Sequence, residues 1–313
     1  MATQVAGTTV PPRSASRTSR PSAGKSSRRH WIGWLFIAPF LVVFFAFLVA
    51  PLAYAAYLSL YSKGLATGTI FAGLDNYTKA FTDPSFLRGV KFVILFSAVL
   101  IPLQMAVSLA MALVLDSVTT RLARLSRLMI FLPYAIPAVI GALMWGFLYS
   151  PTFGPLEQIF GGNAPFLLSP DNVFYGLLNV VTWQWAGYYM IILYAALQGI
   201  DTSIYEAARI DGANAWQIAL RIKVPMISSA LVLILVFALI GTLQFFAEPQ
   251  ILGPIANGTI TPDFTPNIYA YNQAFTYANF NYASAISFAL GVVVFIAVTI
   301  FLFFTRKKGS IFT

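Results

Sequence analysis

The chain has 313 residues, of which 58% are hydrophobic and only 9% are charged, and its mean hydropathy is +0.77. Soluble domains are about 45–50% apolar and about 25% charged, so these few charges do not cover a water-facing surface and the sequence predicts a membrane protein. With no Cys and one His, the chain contains no Cys-based zinc site, iron–sulfur cluster, disulfide framework or thiol nucleophile.

The first segment, residues 1–30, is rich in Ser, Arg and Pro and has no acidic residue, which predicts a disordered basic cytoplasmic tail. Its composition also resembles an organellar transit peptide, and the arginine pair at 28–29 is typical of a twin-arginine signal. The apolar run that follows is too long for a signal peptide, so we interpret it as an uncleaved first span. Residues 24–26 read GKS, but the first glycine of a phosphate-binding loop is replaced by Ser19, so no nucleotide site is predicted.

A spanning helix needs about 20 residues without stranded charges. Six charge-free runs are long enough: 31–62, 92–115, 128–156, 172–200, 224–247 and 264–305. The first half of the last run is polar, so its helix is expected to begin near Tyr282. The sequence therefore predicts an all-α integral membrane protein with six transmembrane helices.

The orientation follows from the basic residues. Placing the N-terminus inside puts 15 of the 19 Lys and Arg on inner segments, which are 1–30, 116–127, 198–224 and 306–313. The outer segments keep only Lys63, Lys79, Arg88 and Lys91. This bias predicts both termini in the cytoplasm. Because topology accounts for the net charge of +9, no nucleic-acid partner is predicted.

The third and fourth spans carry residues that lipid disfavours. Pro133 and Pro137 are expected to kink the third span. In the fourth, Asn179, Gln184 and Tyr188 are candidates for a substrate pathway, because polar groups in hydrocarbon face a neighbour or a water-filled cavity. The alternative is structural: aromatic rings anchor at the headgroups and amides bridge helices.

The loop between the fourth and fifth spans is predicted to form two short helices. Ser203 followed by Glu206 fits a capping box at the start of the first helix. Gly212 favours a sharp turn, and a second helix is expected over 213–223, ending at Pro225. Two short helices at an angle would form a protruding knuckle.

Such a knuckle suits a protein partner. Ala207 and Ala208 would let a partner's backbone come close, and Glu206 offers a charge. The alternative is an amphipathic linker on the membrane surface, held there by Ile218, Leu220 and Ile222.

The last two spans add further candidates. Gln244 and Glu248 are expected to form an i,i+4 polar pair, with Glu248 either at the outer mouth of a pathway or solvated at a helix end. The polar outer loop 251–282 either faces a solute-binding protein or caps the bundle. A stripe of small residues in the sixth span would permit close packing within the subunit or against a second permease: Ala283, Ser287 and Gly291.

Three stretches resemble a known family. Glu206-Ala207-Ala208, with Gly212 and the sequence IKVP at 222–225, resembles the EAA loop of permease subunits of binding-protein-dependent ABC importers, although Val224 replaces the usual Leu. Residues 71–77 (FAGLDNY) and 280–285 (FNYASA) are similar to segments of the carbohydrate-importer branch, of maltose and glycerol-3-phosphate type.

The resemblance covers about residues 31–308 and implies a type I ABC importer permease fold. It implies a six-helix domain over 31–308, with a coupling loop at 198–225 that seats in an ATPase subunit, and a short cytoplasmic tail at 309–313. The implied coupling residues are Glu206, Ala207, Ala208 and Gly212. The implied partners are a second homologous permease, two ATPase subunits that bind ATP and Mg, an extracytoplasmic solute-binding protein and membrane lipid.

We therefore expect a bacterial or archaeal cell-membrane permease that catalyses no covalent chemistry, holds no metal or cofactor and carries a neutral mono- or oligosaccharide. Another solute such as glycerol-3-phosphate is the first alternative. A self-sufficient secondary transporter would need an intramembrane ion site, but Asp116 and Glu248 lie at span ends. A membrane-embedded enzyme would need convergent acids or His, and His30 lies outside the spans.

Overall fold

The computed structural model describes residues 27–64, 68–117, 121–151, 154–159 and 167–309. The predicted N-terminal tail up to residue 26, and the end of the C-terminal tail from 310, lie outside this part of the chain. The chain divides into two compact units, Met1–Tyr54 and Ala55–Thr313. The described part of the first unit is helical throughout.

The first span is a single apolar helical run. α1 covers Ser27–Phe44, a π-helical segment covers Phe45–Val49, and α2 covers Ala50–Ser59. α1 thus begins inside the segment expected to be a disordered tail. The part from Trp34 to Ser59 is long and apolar enough to cross a membrane, and none of its most apolar window is buried.

A short β-hairpin follows, which the all-α prediction did not include. β1 (Tyr61–Gly64) pairs antiparallel with β2 (Gly68–Phe71), so that Tyr61 faces Phe71 with ring centroids 5.5 Å apart. The strand ladder supplies hydrogen bonds to backbone that has left the helix. α3 (Asp75–Thr82) then leads to α4 (Pro84–Ser117), the 34-residue second span.

The third span is broken. α5 (Arg121–Ala135) and α6 (Ala138–Leu148) meet at 96°, and together they form one candidate span. The predicted kink is therefore confirmed, and it is a sharp one. Pro137 lacks an amide hydrogen and pushes the preceding residue out of helical geometry, which ends α5 there.

The fourth span packs along the second. α7 (Pro155–Ile159) precedes α8 (Val173–Gln198), which is half buried over its most apolar window. Two interhelical hydrogen bonds fix α8 against α4: Gln104 Nε2 donates to the Val181 carbonyl at 3.2 Å, and Ser108 Oγ to that of Ala186 at 3.0 Å. In lipid, close packing and such bonds drive helix association.

The predicted cytoplasmic loop is helical. It contains α9 (Thr202–Ile210), α10 (Ala215–Ile218), a π-helical segment (Ala219–Lys223) and α11 (Val224–Met226). The expectation that Pro225 stops the second helix is wrong, because the helical backbone continues from Ala215 through Pro225 to Met226, with the π-helical segment directly before the proline.

The fifth span contains a short non-helical break, whereas the sixth is one unbroken helix. α12 (Ser228–Leu243) is followed by α13 (Ala247–Leu252) and a 3₁₀ turn, Gly253–Ile255. After α14 (Pro266–Tyr271) and its π-helical extension, α15 (Phe280–Gly309) forms the sixth span, two residues before the expected start. The described residues thus contain five candidate spans and the sharply bent third one, as the six predicted runs require.

Glycines set the closest helix approach. An ideal Cβ on Gly187 of α8 would lie 1.9 Å from the carbonyl oxygen of Ile130 in α5, whereas a Cβ on Gly241 of α12 would meet nothing within 4 Å. The broken span therefore packs on α8 at a distance that admits only hydrogen at position 187.

Replacing Gly187 with Ala should consequently destabilise the protein by about 1–3 kcal/mol, because backbone atoms rather than a flexible side chain must move. Thermal unfolding of the purified protein in detergent measures this. Gly241→Ala is the matched control, since it places the same methyl group in open space and should leave the melting temperature unchanged or slightly raised. Equal melting temperatures for both variants would contradict this packing argument.

Candidate functional site

The cytoplasmic knuckle is capped at both of its helices. Asp201, not Ser203, caps α9: its Oδ1 accepts the Ser203 amide at 2.9 Å. The predicted capping box of Ser203 with Glu206 is therefore wrong, because Ser203 lies inside the helix. The capping box belongs to α10, where Asn214 and Gln217 exchange side-chain-to-backbone bonds of 2.9 and 2.8 Å.

Gly212 forms the turn between these helices. Its φ is +85°, which disfavours residues with a Cβ. Its amide donates to the Arg209 carbonyl at 3.0 Å, and the Ala213 amide donates to that of Ala208 at 2.9 Å. These two bonds form a Schellman motif that satisfies the last carbonyls of α9.

The knuckle exposes the residues assigned to coupling. Glu206, Ala207 and Gly212 are exposed, and Ala208 is half-buried. Large apolar side chains stand beside them, with Ile210 87% and Trp216 74% exposed. Large apolar side chains exposed beside a charged residue are compatible with an interaction site.

The membrane-surface alternative fits less well. Of the three residues proposed to hold a linker on lipid, Ile218 is 4% exposed and Ile222 is half-buried, so only Leu220 is freely exposed. An amphipathic helix on a bilayer would expose its apolar face outward. Here part of that face packs into the protein.

A buried acid holds the loop to the second span. Asp116, at the end of α4, forms an ion pair with Lys223, and the two side chains are only 7% and 14% exposed. Gln198 Nε2 also donates to Asp116 Oδ1 at 2.7 Å. Lys223 Nζ lies 4.6 Å from the centroid of the Tyr205 ring. The sequence offered one signal for this cluster, an acid at the end of an apolar span, which requires a partner.

Next to this cluster, α4, α9 and α10 enclose a groove of about 850 Å³. Its wall combines apolar and charged side chains, among them Leu109, Leu113, Glu206, Arg209 and Trp216. Asp116, Lys223 and Glu206 all line this groove, so one of the four residues predicted to take part in coupling lies beside the buried ion pair.

In the fourth span, Gln184 has a structural role. It is 5% exposed, and its Nε2 donates to the carbonyls of Pro133 and Ile136 at 3.0 and 2.8 Å. Both carbonyls lie where α5 ends, and the Pro133 carbonyl also accepts the Ile136 amide at 3.2 Å. The geometry therefore fits the helix-bridging alternative for Gln184.

Asn179 and Tyr188 lie in aromatic surroundings. Asn179 is exposed and donates to Tyr149 Oη at 2.7 Å. Tyr188 is half-buried and stacks on Tyr134, with ring centroids 4.4 Å apart. Flat rings beside amides can bind the C–H faces and hydroxyls of a sugar.

The fifth-span pair is separated. Gln244 is the exposed C-terminal cap of α12, whereas Glu248 is 9% exposed in the first turn of α13. Because non-helical residues separate them, the predicted i,i+4 stripe is wrong. The small-residue stripe of the sixth span is also split: Ala283 is buried, whereas Ser287 and Gly291 are exposed.

The two other motif stretches converge on the end of α2. Asn76 Nδ2 donates to the carbonyls of Ser59 and Tyr61 at 2.9 and 2.8 Å, and Asn281 Nδ2 donates to that of Leu58 at 2.9 Å. Ser59 Oγ also lies 2.7 Å from Tyr77 Oη. Amides from two distant parts of the chain thus satisfy the last carbonyls of α2 and the first carbonyl of β1.

Next to this cluster, the Asp83 carboxylate accepts hydrogen bonds from the hydroxyls of Tyr269 and Tyr282 at 2.6 and 2.8 Å. Partial burial opposes ionisation of Asp83, but the two hydroxyl donors and backbone amides outweigh it and hold its pKa below the usual value. Burial and the Asp83 charge raise the pKa of Tyr269 to about 12.

The knuckle and the interrupted spans are those of an importer permease, and sequence comparison identifies the family. The chain belongs to the family described as binding-protein-dependent transport system inner membrane component, which matches residues 108–307. It is therefore a multi-pass inner-membrane component of a transport system, and the ATPase is a separate subunit. This family membership excludes the two alternative classes, a self-sufficient secondary transporter and a membrane-embedded enzyme.

Three comparisons describe its relatives. The chain is 32% identical over 283 residues to the lactose transport system permease protein LacF of Rhizobium radiobacter, covering 88% of this chain and 94% of that protein. It is 27% identical over 316 residues to the diacetylchitobiose uptake system permease protein NgcF of Streptomyces coelicolor, covering 96% and 89%. The crystal structure of a bacterial alginate ABC transporter with its periplasmic protein matches with a TM-score of 0.78 at 23% identity, covering 90% of this chain and 96% of that chain, which shows the ABC importer permease fold.

The lowered pKa of Asp83 predicts a pH dependence of stability. Because its pKa is lower in the folded than in the unfolded chain, its contribution is complete above the unfolded value of about 3.9 and disappears as the pH falls through the folded value. The melting temperature in detergent should therefore fall as the pH is lowered below about 4, and Asp83→Asn should show a smaller fall.

Asp75→Asn is the control, because Asp75 is an exposed acid at the start of α3. It should retain the acid-dependent fall of the unmodified protein. If Asp83→Asn and the unmodified protein lost stability in parallel below this pH, the tyrosine–carboxylate cluster would not contribute as described.

Proposed function

We propose that this chain is the permease subunit of an ATP-driven importer that moves a neutral carbohydrate across the cell membrane. The observation that carries the proposal is the ordered knuckle, which exposes Glu206, Ala207 and Gly212 beside uncovered apolar side chains. The partners are a second homologous permease, two ATPase subunits that bind ATP and Mg, and an extracytoplasmic solute-binding protein. The six spans over 31–308 form the membrane domain, and lipid surrounds them.

The four coupling residues have distinct roles in this proposal. Ala207 and the half-buried Ala208 allow a partner's backbone to come close, and Glu206 provides a charge for it to pair with. Gly212 supplies the left-handed turn that aims α10 away from α9. Movement of the ATPase subunits would displace this surface and thereby the spans attached to it.

The pathway uses the polar residues that the packing leaves accessible. Asn179 and Gln244 are exposed, and Tyr188 presents a ring beside Tyr134. Glu248 is buried at the start of α13 and forms part of the same outer region in this proposal. Gln184 supports the pathway wall indirectly, by holding the broken span.

The arrangement of the outer basic residues supports a neutral solute. Of the outer basic residues, Arg88 pairs with Asp263 at 2.5 Å, and Lys79 lies 4.4 Å from the Tyr282 ring centroid. Both of these cations are engaged by the protein, and the other two outer basic residues, Lys63 and Lys91, are exposed. The relatives named above are described as permeases for lactose and diacetylchitobiose, which are neutral sugars, and this supports a carbohydrate for the present chain.

Coupling through the knuckle predicts a loss of transport without a loss of folding. Gly212→Ala should reduce uptake by at least about tenfold, because a Cβ at φ +85° strains the turn by about 1–2 kcal/mol and displaces α10. Glu206→Gln should also abolish uptake. Uptake into vesicles that contain the assembled transporter, with immunoblotting for membrane insertion, measures both effects.

The matched control is Gly199→Ala. Gly199 also lies in the loop but has an ordinary φ of −81°, and its added Cβ would make only a 3.4 Å contact. Its uptake should be normal. Normal uptake by both Glu206→Gln and Gly212→Ala would mean that the knuckle is an ordinary linker.

The neutral-solute proposal is tested by competition. Lactose, diacetylchitobiose and maltose serve as neutral probes, and glycerol-3-phosphate and alginate oligosaccharides as anionic ones. We expect that at least one neutral probe raises the melting temperature of the solute-binding protein and is taken up, and that the anions do not compete. Tight competition by an anion would overturn the proposal.

A further inference from the structure

One carboxylate touches both ends of the coupling loop. Asp116 accepts from Gln198, the last residue of α8, and pairs with Lys223, the last residue of the π-helical segment. Everything between Gln198 and Lys223, including α9, the Gly212 turn and α10, is thus tied at its start and its end to one point on α4.

The contact is enclosed. Asp116 is 7% and Lys223 14% exposed. The Tyr205 ring lies over Lys223 Nζ at 4.6 Å, and the buried Tyr205 hydroxyl has no hydrogen-bond partner among the residues that the structure describes. Glu206 and Arg209 line the groove beside Asp116, but Asp116 forms its ion pair with Lys223. Arg221, in the same π-helical segment, is exposed.

Stability alone is a weak reason for such a pair. A buried ion pair gains little net free energy over apolar residues of the same size, because both charges lose their hydration. Removing one partner is nevertheless costly, since the other charge is then buried alone. The pair therefore favours one arrangement of the loop against α4 and penalises intermediate positions.

We propose that Asp116 and Lys223 are positioning residues for energy coupling, which fix the knuckle to α4 so that its displacement moves α4 and α8 together. The proposal rests on the coupling function proposed above. Without the pair, the ATPase subunits would still bind the exposed face of the knuckle and hydrolyse ATP. The loop would then shift on its own, and the spans would follow incompletely.

The test uses the complete transporter reconstituted in vesicles, with the sugar identified in the competition experiment. Asp116→Asn keeps an oxygen for Gln198 but loses the ion pair, and Lys223→Met keeps the aliphatic chain over Tyr205. Each should lower the number of sugars transported per ATP hydrolysed by about tenfold, the upper part of the range for changes in coupling. ATPase subunits should copurify normally.

Two further variants separate charge from shape. Lys223→Arg keeps the charge and should retain the transport-to-hydrolysis ratio within about twofold. The exchange Asp116→Lys with Lys223→Asp restores opposite charges and should recover much of the ratio that either single change loses. Arg221→Met removes a cation from the same segment, and it should leave the ratio unchanged.

Each result decides the question. A purely structural role would lower the amount of inserted protein and its melting temperature while leaving the ratio per assembled transporter unchanged, and this would overturn the proposal. If the single variants fail to insert, and Lys223→Arg and the charge exchange do not insert either, the pair is a folding element and the proposal is rejected.

The Gly212→Ala variant keeps the two proposals distinguishable. If Asp116→Asn and Lys223→Met retain a normal ratio while Gly212→Ala is inactive, the positioning role fails but the coupling function stands. If Gly212→Ala and Glu206→Gln are also fully active, the coupling function itself fails.

Discussion

The need to satisfy backbone carbonyls within lipid governs the arrangement of this protein. In hydrocarbon, a carbonyl that leaves a helix has no water to bond, so each break in a span requires a polar side chain from elsewhere. At the 96° bend of the third span, Gln184 takes this role for Pro133 and Ile136. At the end of α2, Asn76 and Asn281 do the same. At both places a side-chain amide thus supplies a hydrogen bond where a regular helix ends.

This constraint also divides the polar residues of the spans into those that join helices and those that remain exposed. Gln104, Ser108 and Gln184 are buried and donate to backbone carbonyls of neighbouring helices, so they join the spans. Asn179 and Gln244 are exposed. Polar groups that stay exposed are the better candidates for contact with a solute. A sequence pattern alone does not separate the two sets, because both consist of amides and hydroxyls within apolar runs.

The sequence was sufficient for the features that depend on composition and local pattern. Charge-free runs located six spans because hydropathy and length decide insertion. Gly212 located the turn because few other residues adopt a φ of +85°. The N-terminal cap of α9 was misplaced, since Asp201 and Ser203 both suit a cap and only the backbone angles choose between them. Hydropathy likewise missed the non-helical residues that separate Gln244 from Glu248, because they are as apolar as the helix before them.

The features that the sequence did not predict depend on contacts between residues that are far apart in the chain. Asp116 and Lys223 are 107 residues apart, and neither has a local partner that would reveal the pair. Their meeting depends on the packing of α4 beside α8, which brings the end of the second span to the coupling loop. At the other end of the bundle, amides from residues 76 and 281 fix the end of α2. In the coupling that we propose, a loop tied to α4 would transmit its displacement to the spans, whereas a freely joined loop would absorb it. Efficient transport by the proposed mechanism therefore depends on these attachments.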